Sequence, residues 1–354
     1  MIRWLAIVAC ALTVCITASS AFIRHSQAGL GCPDWPDGAC VAGLRATKVD
    51  ARPGVPADPQ PAARADAQSA AQTGSQPAAQ PGVAPPGVRT ARALHRVSAM
   101  LVGVLVLLVA VFGWSSMRFG ARVALVIALA DTAFLAWLGR FTPHPIPLVT
   151  IANLVGGIAL AAAFAWIAAS LRSPAKPGAA TGAAPGTSAR IGAAPASIGS
   201  AFDARGRIVA PPAVLAAALA LLAAVAWIGT MIGAQDAIGV CDGASCAGAV
   251  RLDVGTLDAF RPVTSIDAAA GRGLHWLHRI VAAAFTIVVL VVAVRARRSG
   301  ASRVAMLLVV LLIAQIAAGL DTTVGVWPLG TATLHNAVAT LLAVALTAIA
   351  ARGR

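Results

Sequence analysis

The chain has 354 residues, 58% of them hydrophobic and 11% charged, with a mean hydropathy of +0.81. A water-soluble domain of this length needs far more charge to cover its surface, so lipid is the solvent for most of the chain. The formal charge of +14 lies between apolar runs and not on one patch, which argues against nucleic acid and fits cytoplasmic loops that collect Lys and Arg.

Apolar runs occur at about 4–23, 95–114, 122–139, 148–171, 213–234, 274–295, 304–319 and 332–350. Each approaches the roughly 20 residues that a helix needs to cross the hydrocarbon layer. They are continuous and too long for barrel strands, so helices are the spanning form. The short loops at 115–121 and 296–303 and the tail ARGR carry Arg, whereas 140–147 and 320–331 hold only Arg140 between them. This asymmetry places both termini in the cytoplasm and the long connections 24–94 and 235–273 outside. The first run also has the look of a secretory signal peptide, with MIR ahead of it and TASSAF at its end. The expectation is that it stays as the first of eight helices.

Two stretches, 49–90 and 173–200, are rich in Pro, Ala, Gly, Gln and Ser and lack the apolar content to bury a core. They are expected to be disordered insertions. The second separates two halves that echo one another: ALHRVSAMLVGVLVLLVAV at 93–111 matches WLHRIVAAAFTIVVLVVAV at 276–294, with Leu-His-Arg in register. The expected fold is therefore an all-α integral membrane protein, with eight transmembrane helices arranged as two pseudo-repeated four-helix bundles. The halves are 1–172 and 211–354, joined by a cytoplasmic linker at 173–210.

Six histidines are present: His25, His95, His144, His275, His278 and His335. His278 and His335 each stand about four residues inside a run that enters from outside, roughly 6 Å deep at ~1.5 Å per residue. Imidazoles at equal depth on parallel helices suit axial ligation of a haem between them. The bland alternative is a pair of polar residues at helix ends, although ionisable residues within a membrane usually serve function. Zinc suits the pair less, because two His without a third ligand make an incomplete site. Arg279, next to His278, is a candidate partner for a haem propionate or a snorkelling interface anchor. His275, one turn earlier, reads as a polar lining residue, with alternative ligation as the second reading.

Cys32 and Cys40 lie in the first outer loop and Cys241 and Cys246 in the third, where each pair is a candidate disulfide. A redox-active pair and a four-Cys zinc site stay open as alternatives. Cys10 and Cys15 fall within the first run and read as packing residues.

GLGCPDWP at 29–36, the two Leu-His-Arg helix starts, the second outer Cys pair and LHNAVATLL of the last run, taken in order, resemble the haem A synthase family. The likeness covers nearly the whole chain apart from the two low-complexity stretches. It implies an enzyme that oxidises the methyl group at ring position 8 of haem O to a formyl group, giving haem A for cytochrome oxidase. It further implies a haem b cofactor held by His278 and His335 in the C-terminal half, and a substrate haem O held by His95 in the N-terminal half. Cys32 and Cys40 map onto the family's first outer pair. The implied setting is a bacterial inner membrane, with the haem O-producing enzyme and an electron donor as partners and homo-oligomerisation left open.

The N-terminal half departs from the family pattern. Arg92 stands one turn before His95, where the family has a catalytic Glu, and the chain contains no Glu at all. The second N-terminal ligand should fall at Asn153, or at Ala152 by internal spacing, and neither is His. His144 is nearby in a Pro-rich connection. Asp131, in the third run, reads as a structural or proton-relay carboxyl well below the histidine layer, and Gln315 as a polar contact between helices. Two functions follow: haem A synthase, or a membrane homologue that binds haem b without oxidising haem O.

Overall fold

The computed structural model describes residues 1–28, 30, 32, 87–141, 146–171, 210–235, 237–241, 243, 245–260, 266–324 and 328–352. Cys40, His144 and nearly all of the two low-complexity stretches lie outside the described residues. Eight helices among the described residues are long and apolar enough to cross a membrane. In chain order they are α1 (Ile2–Gln27), α2 (Val88–Gly113), α3 (Phe119–Leu138), α4 (Pro147–Ser170), α5 (Pro212–Ala234), α6 (Ala268–Arg298), α7 (Ser302–Val324) and α8 (Pro328–Arg352).

Local chemistry sets many of the ends. Proline opens α4, α5 and α8, where its missing N–H costs no intrahelical bond and its fixed φ suits the first turn. The Asp267 side chain caps α6 by accepting from the Ala270 N–H at 2.9 Å. At the other end of α6, Gly300 takes a left-handed φ of 85° and Ala301 N–H closes on the Ala296 carbonyl at 2.8 Å. Arg295, Arg297 and Arg298 sit in that last turn, where the helix carbonyls favour cations.

Most of these helices run a turn or more beyond the apolar stretches that predict them. α6 begins at Ala268 and α8 at Pro328, so His278 and His335 stand further into their helices than the sequence implies. Hydropathy marks only the lipid-facing length, whereas a capped polar turn adds helix that it does not register.

Each half has its own apolar core. One comprises residues of α1–α4 such as Val102, Val106, Leu125 and Phe164. The other comprises residues of α5–α8 such as Leu222, Val289, Leu308 and Leu346. The halves join where α8 packs on α1 and α4, and where α5 meets α4. Large apolar side chains including Leu107, Val111, Ile287, Met306 and Ile313 face outward, as a lipid-solvated surface requires.

The α5–α6 connection folds over the end of the bundle. Its Ala259 carbonyl accepts from Leu148 N–H at 2.9 Å, tying the connection to α4. Gly273 lets the connection pass close by, since a Cβ there would overlap the Arg251 carbonyl.

Candidate functional site

The rings of His278 on α6 and His335 on α8 lie 6.4 Å apart between centroids, with their planes tilted by 49°. α6 packs on α5 and α7, and α8 on α7, α1 and α4. The two imidazoles therefore meet across the bundle interior from helices that are not close neighbours. Two metal–nitrogen bonds of about 2 Å each, plus the distance from each nitrogen to its ring centre, span roughly 6 Å. The separation matches a pair of axial ligands to one iron.

Hydrogen bonds orient the pair. His335 Nδ1 donates to the Gln315 carbonyl at 3.0 Å, which leaves the lone pair on Nε2. The Gln315 amide nitrogen donates to that Nε2 at 3.1 Å, and its Oε1 is buried without a partner. His278 Nδ1 is buried without a partner. Buried ring nitrogens normally find partners, so the bare Nδ1 of His278 is a nitrogen that an added group could take.

Two glycines shape the space. A Cβ on Gly319 of α7 would stand 2.9 Å from His335 Cε1, and one on Gly229 of α5 would stand 3.1 Å from His278 Cε1. Each imidazole thus lies against bare backbone of a neighbouring helix, where a larger residue would displace it.

His275 is not a member of the pair. Its Nε2 donates to the Ala237 carbonyl at 2.8 Å and pins the α5–α6 connection. Arg279 holds its guanidinium 5.7 Å from the Trp276 ring centre, and Trp276 is exposed. That contact matches an interface anchor. Cys241 and Cys246 form a disulfide, and Cys32 is disulfide-bonded.

In the N-terminal half, His95 Nδ1 lies 3.4 Å from the Ile16 carbonyl of α1. Arg92 is exposed, away from any buried cluster. Asn153 of α4 donates its amide to the Val149 carbonyl at 3.0 Å. The level of Asp131 differs from the expectation. His95 stands seven residues in from Val88, and Asp131 seven residues short of Leu138. Both are therefore roughly 10 Å from the same end of the bundle. The second helix starts at Val88, seven residues before its apolar run, which sets His95 deeper and nearer the level of Asp131. Its Oδ1 would lie 3.0 Å from a Cβ on Gly156 of α4, and its Oδ2 is buried without a partner.

Sequence reasoning did not find Gly229, Gly319 or the direct Gln315–His335 contact. A Gln in the middle of an apolar run was the available signal for the last. It also passed over a polar seam between α1 and α8, where Arg24 Nη2 donates to Asn336 Oδ1 at 3.3 Å and Thr340 to Thr17 at 3.2 Å.

A family model described as cytochrome oxidase assembly protein, COX15-CtaA, matches residues 90–347. The matched stretch contains His95, Asp131, Asn153, His278, Gln315 and His335, and it begins after α1. No curated protein matches the chain.

Proposed function

The chain belongs to the cytochrome oxidase assembly protein family, COX15-CtaA, and from that premise we propose that it is a haem A synthase, oxidising the methyl group at ring position 8 of haem O to a formyl group. The observation that carries the reading is the His278–His335 pair, with ring centres 6.4 Å apart inside the matched stretch. In this reading His278 and His335 hold the iron of a haem b, and the Gln315 carbonyl keeps His335 in the tautomer that offers Nε2. A haem b held there would supply a one-electron centre for the redox chemistry. His95 takes the iron of haem O from the N-terminal side. The setting is a bacterial inner membrane with both termini cytoplasmic, and the partners are the enzyme that makes haem O and an electron donor. Cys32 pairs with Cys40.

The test is expression of the chain with a haem O source in membranes that lack haem A, followed by extraction and chromatography of the haems. A formylated or hydroxylated haem supports the synthase. Haem B and unaltered haem O alone overturn it.

A second reading, a haem b-binding membrane protein without oxidase activity, draws on the N-terminal half. Arg92 is exposed where the family has its catalytic Glu, and the Asn153 amide is bonded to Val149 instead of offering a ligand. The same chromatography separates the two readings.

A further inference from the structure

The last turn of α1 places a cation inside the contact between the two halves. The Arg24 guanidinium is permanently charged, and its Nη2 points across to Asn336 Oδ1 on α8 at 3.3 Å. Among the described residues no carboxylate meets it. A neutral amide oxygen at that distance is a weak partner, since charge-assisted bonds close to about 2.7–2.9 Å. A cation held between membrane helices is costly unless an anion or several dipoles compensate it.

The neighbours of Arg24 point the same way. Asn336 Nδ2 donates to Ala332 O at 2.8 Å and lies 3.3 Å from His25 Nε2. His25 Nδ1 is buried and has no partner. The seam thus presents one fixed cation and one unspent ring nitrogen around a single amide. It also adjoins the iron-binding pair: Asn336, which His25 approaches to 3.3 Å, follows His335 in the chain. The other basic residue near the pair, Arg279, is drawn to the exposed Trp276.

We infer that Arg24, His25 and Asn336 form a carboxylate site at the α1–α8 seam that receives a propionate of the porphyrin ligated by His335. The inference rests on the haem reading above. It gives α1, which lies outside the matched stretch, a part in binding a cofactor otherwise held by the C-terminal half, and so joins the two halves through the ligand.

The full-length apo-protein is titrated with iron protoporphyrin and with its dimethyl ester, which lacks the carboxylates. R24Q should bind the free acid about ten-fold or more weakly than the unsubstituted chain, R24K should keep most of the affinity, and the ester should bind R24Q and the unsubstituted chain equally. Equal ester binding also reports that R24Q is folded. Undiminished binding of the free acid by R24Q overturns the inference, as does an equal loss for both porphyrins. An Arg24 that instead serves an anionic lipid headgroup gives the first of these results. H278A, run in parallel, keeps the two levels apart. Its loss of the low-spin spectrum with both porphyrins upholds the haem reading whatever Arg24 does, and an unchanged spectrum sinks that reading itself.

Discussion

The two halves of the molecule each carry four helices but differ in what surrounds their histidines. In the C-terminal half, the His278 and His335 rings stand 6.4 Å apart between centres, Gln315 contacts both nitrogens of His335, and Gly229 and Gly319 leave room for the rings. In the N-terminal half, His95 sits near the Ile16 carbonyl, and Asn153 is bonded to its own helix. Asp131 lies against α4 near Gly156 much as Gln315 lies against α8, but its Oδ2 is buried with no partner. A ligand is a side chain together with what orients it. By that measure the C-terminal half has two imidazoles close together with one of them oriented by hydrogen bonds, and the described residues of the N-terminal half bring one imidazole, His95, to the same end of the bundle.

The largest test of this contrast is ligand removal in each half. H278A or H335A should abolish a low-spin b-type spectrum in the purified protein, while H95A should leave it intact. A spectrum that survives H278A, or one lost with H95A, breaks the assignment of the cofactor to the C-terminal half. Next in size is the addition of a ligand. N153H should create a second low-spin signal when haem O is supplied, because it places an imidazole on α4 at the level of His95. Absence of that signal under haem O loading would argue that α2 and α4 do not share a porphyrin.

Smaller effects probe the packing. G319A forces a Cβ to 2.9 Å from His335 Cε1, a strain of about 1–3 kcal/mol. The expected result is several-fold lower haem occupancy, measured as absorbance per protein. G103A, in the N-terminal half, has nothing within 4 Å of its new Cβ and should be silent. Equal behaviour of the two variants would remove the glycine from the site.

The smallest effect lies outside the membrane. Asp267 has its carboxyl held below the usual aspartate range, first by the Ala270 N–H and then by Arg251. A depressed folded-state pKa means that its contribution is present above the unfolded value, near about 3.9, and is lost as pH falls through the lower folded value. D267A should therefore lower the melting temperature slightly at pH 7, and the difference should close as pH drops below that range. A difference that persists in acid would point to lost packing and not to the cap.

Much of the fold was legible because lipid imposes a simple rule: a crossing helix must be apolar for about 20 residues, and each of the eight runs approaches that length. His278 and His335 stood out for the same reason, being ionisable groups where such groups are expensive. The polar turns beyond several runs were not legible, and so His95, His278 and His335 were placed too near their helix starts and Asp131 too far below His95. Nor could the sequence reveal that His275 would pin a connection through Ala237 or that Arg279 would stack on Trp276.

By itself, the sequence determined the solvent, the number of spans and the residues whose chemistry has no reason to be in lipid, since those properties are sums over a local stretch of chain. Only the tertiary structure decided that two of those residues meet, that Gln315 aims one of them, and that Arg24 crosses to Asn336. Such contacts depend on the relative rotation and height of helices far apart in the chain, which side-chain packing fixes and hydropathy does not record.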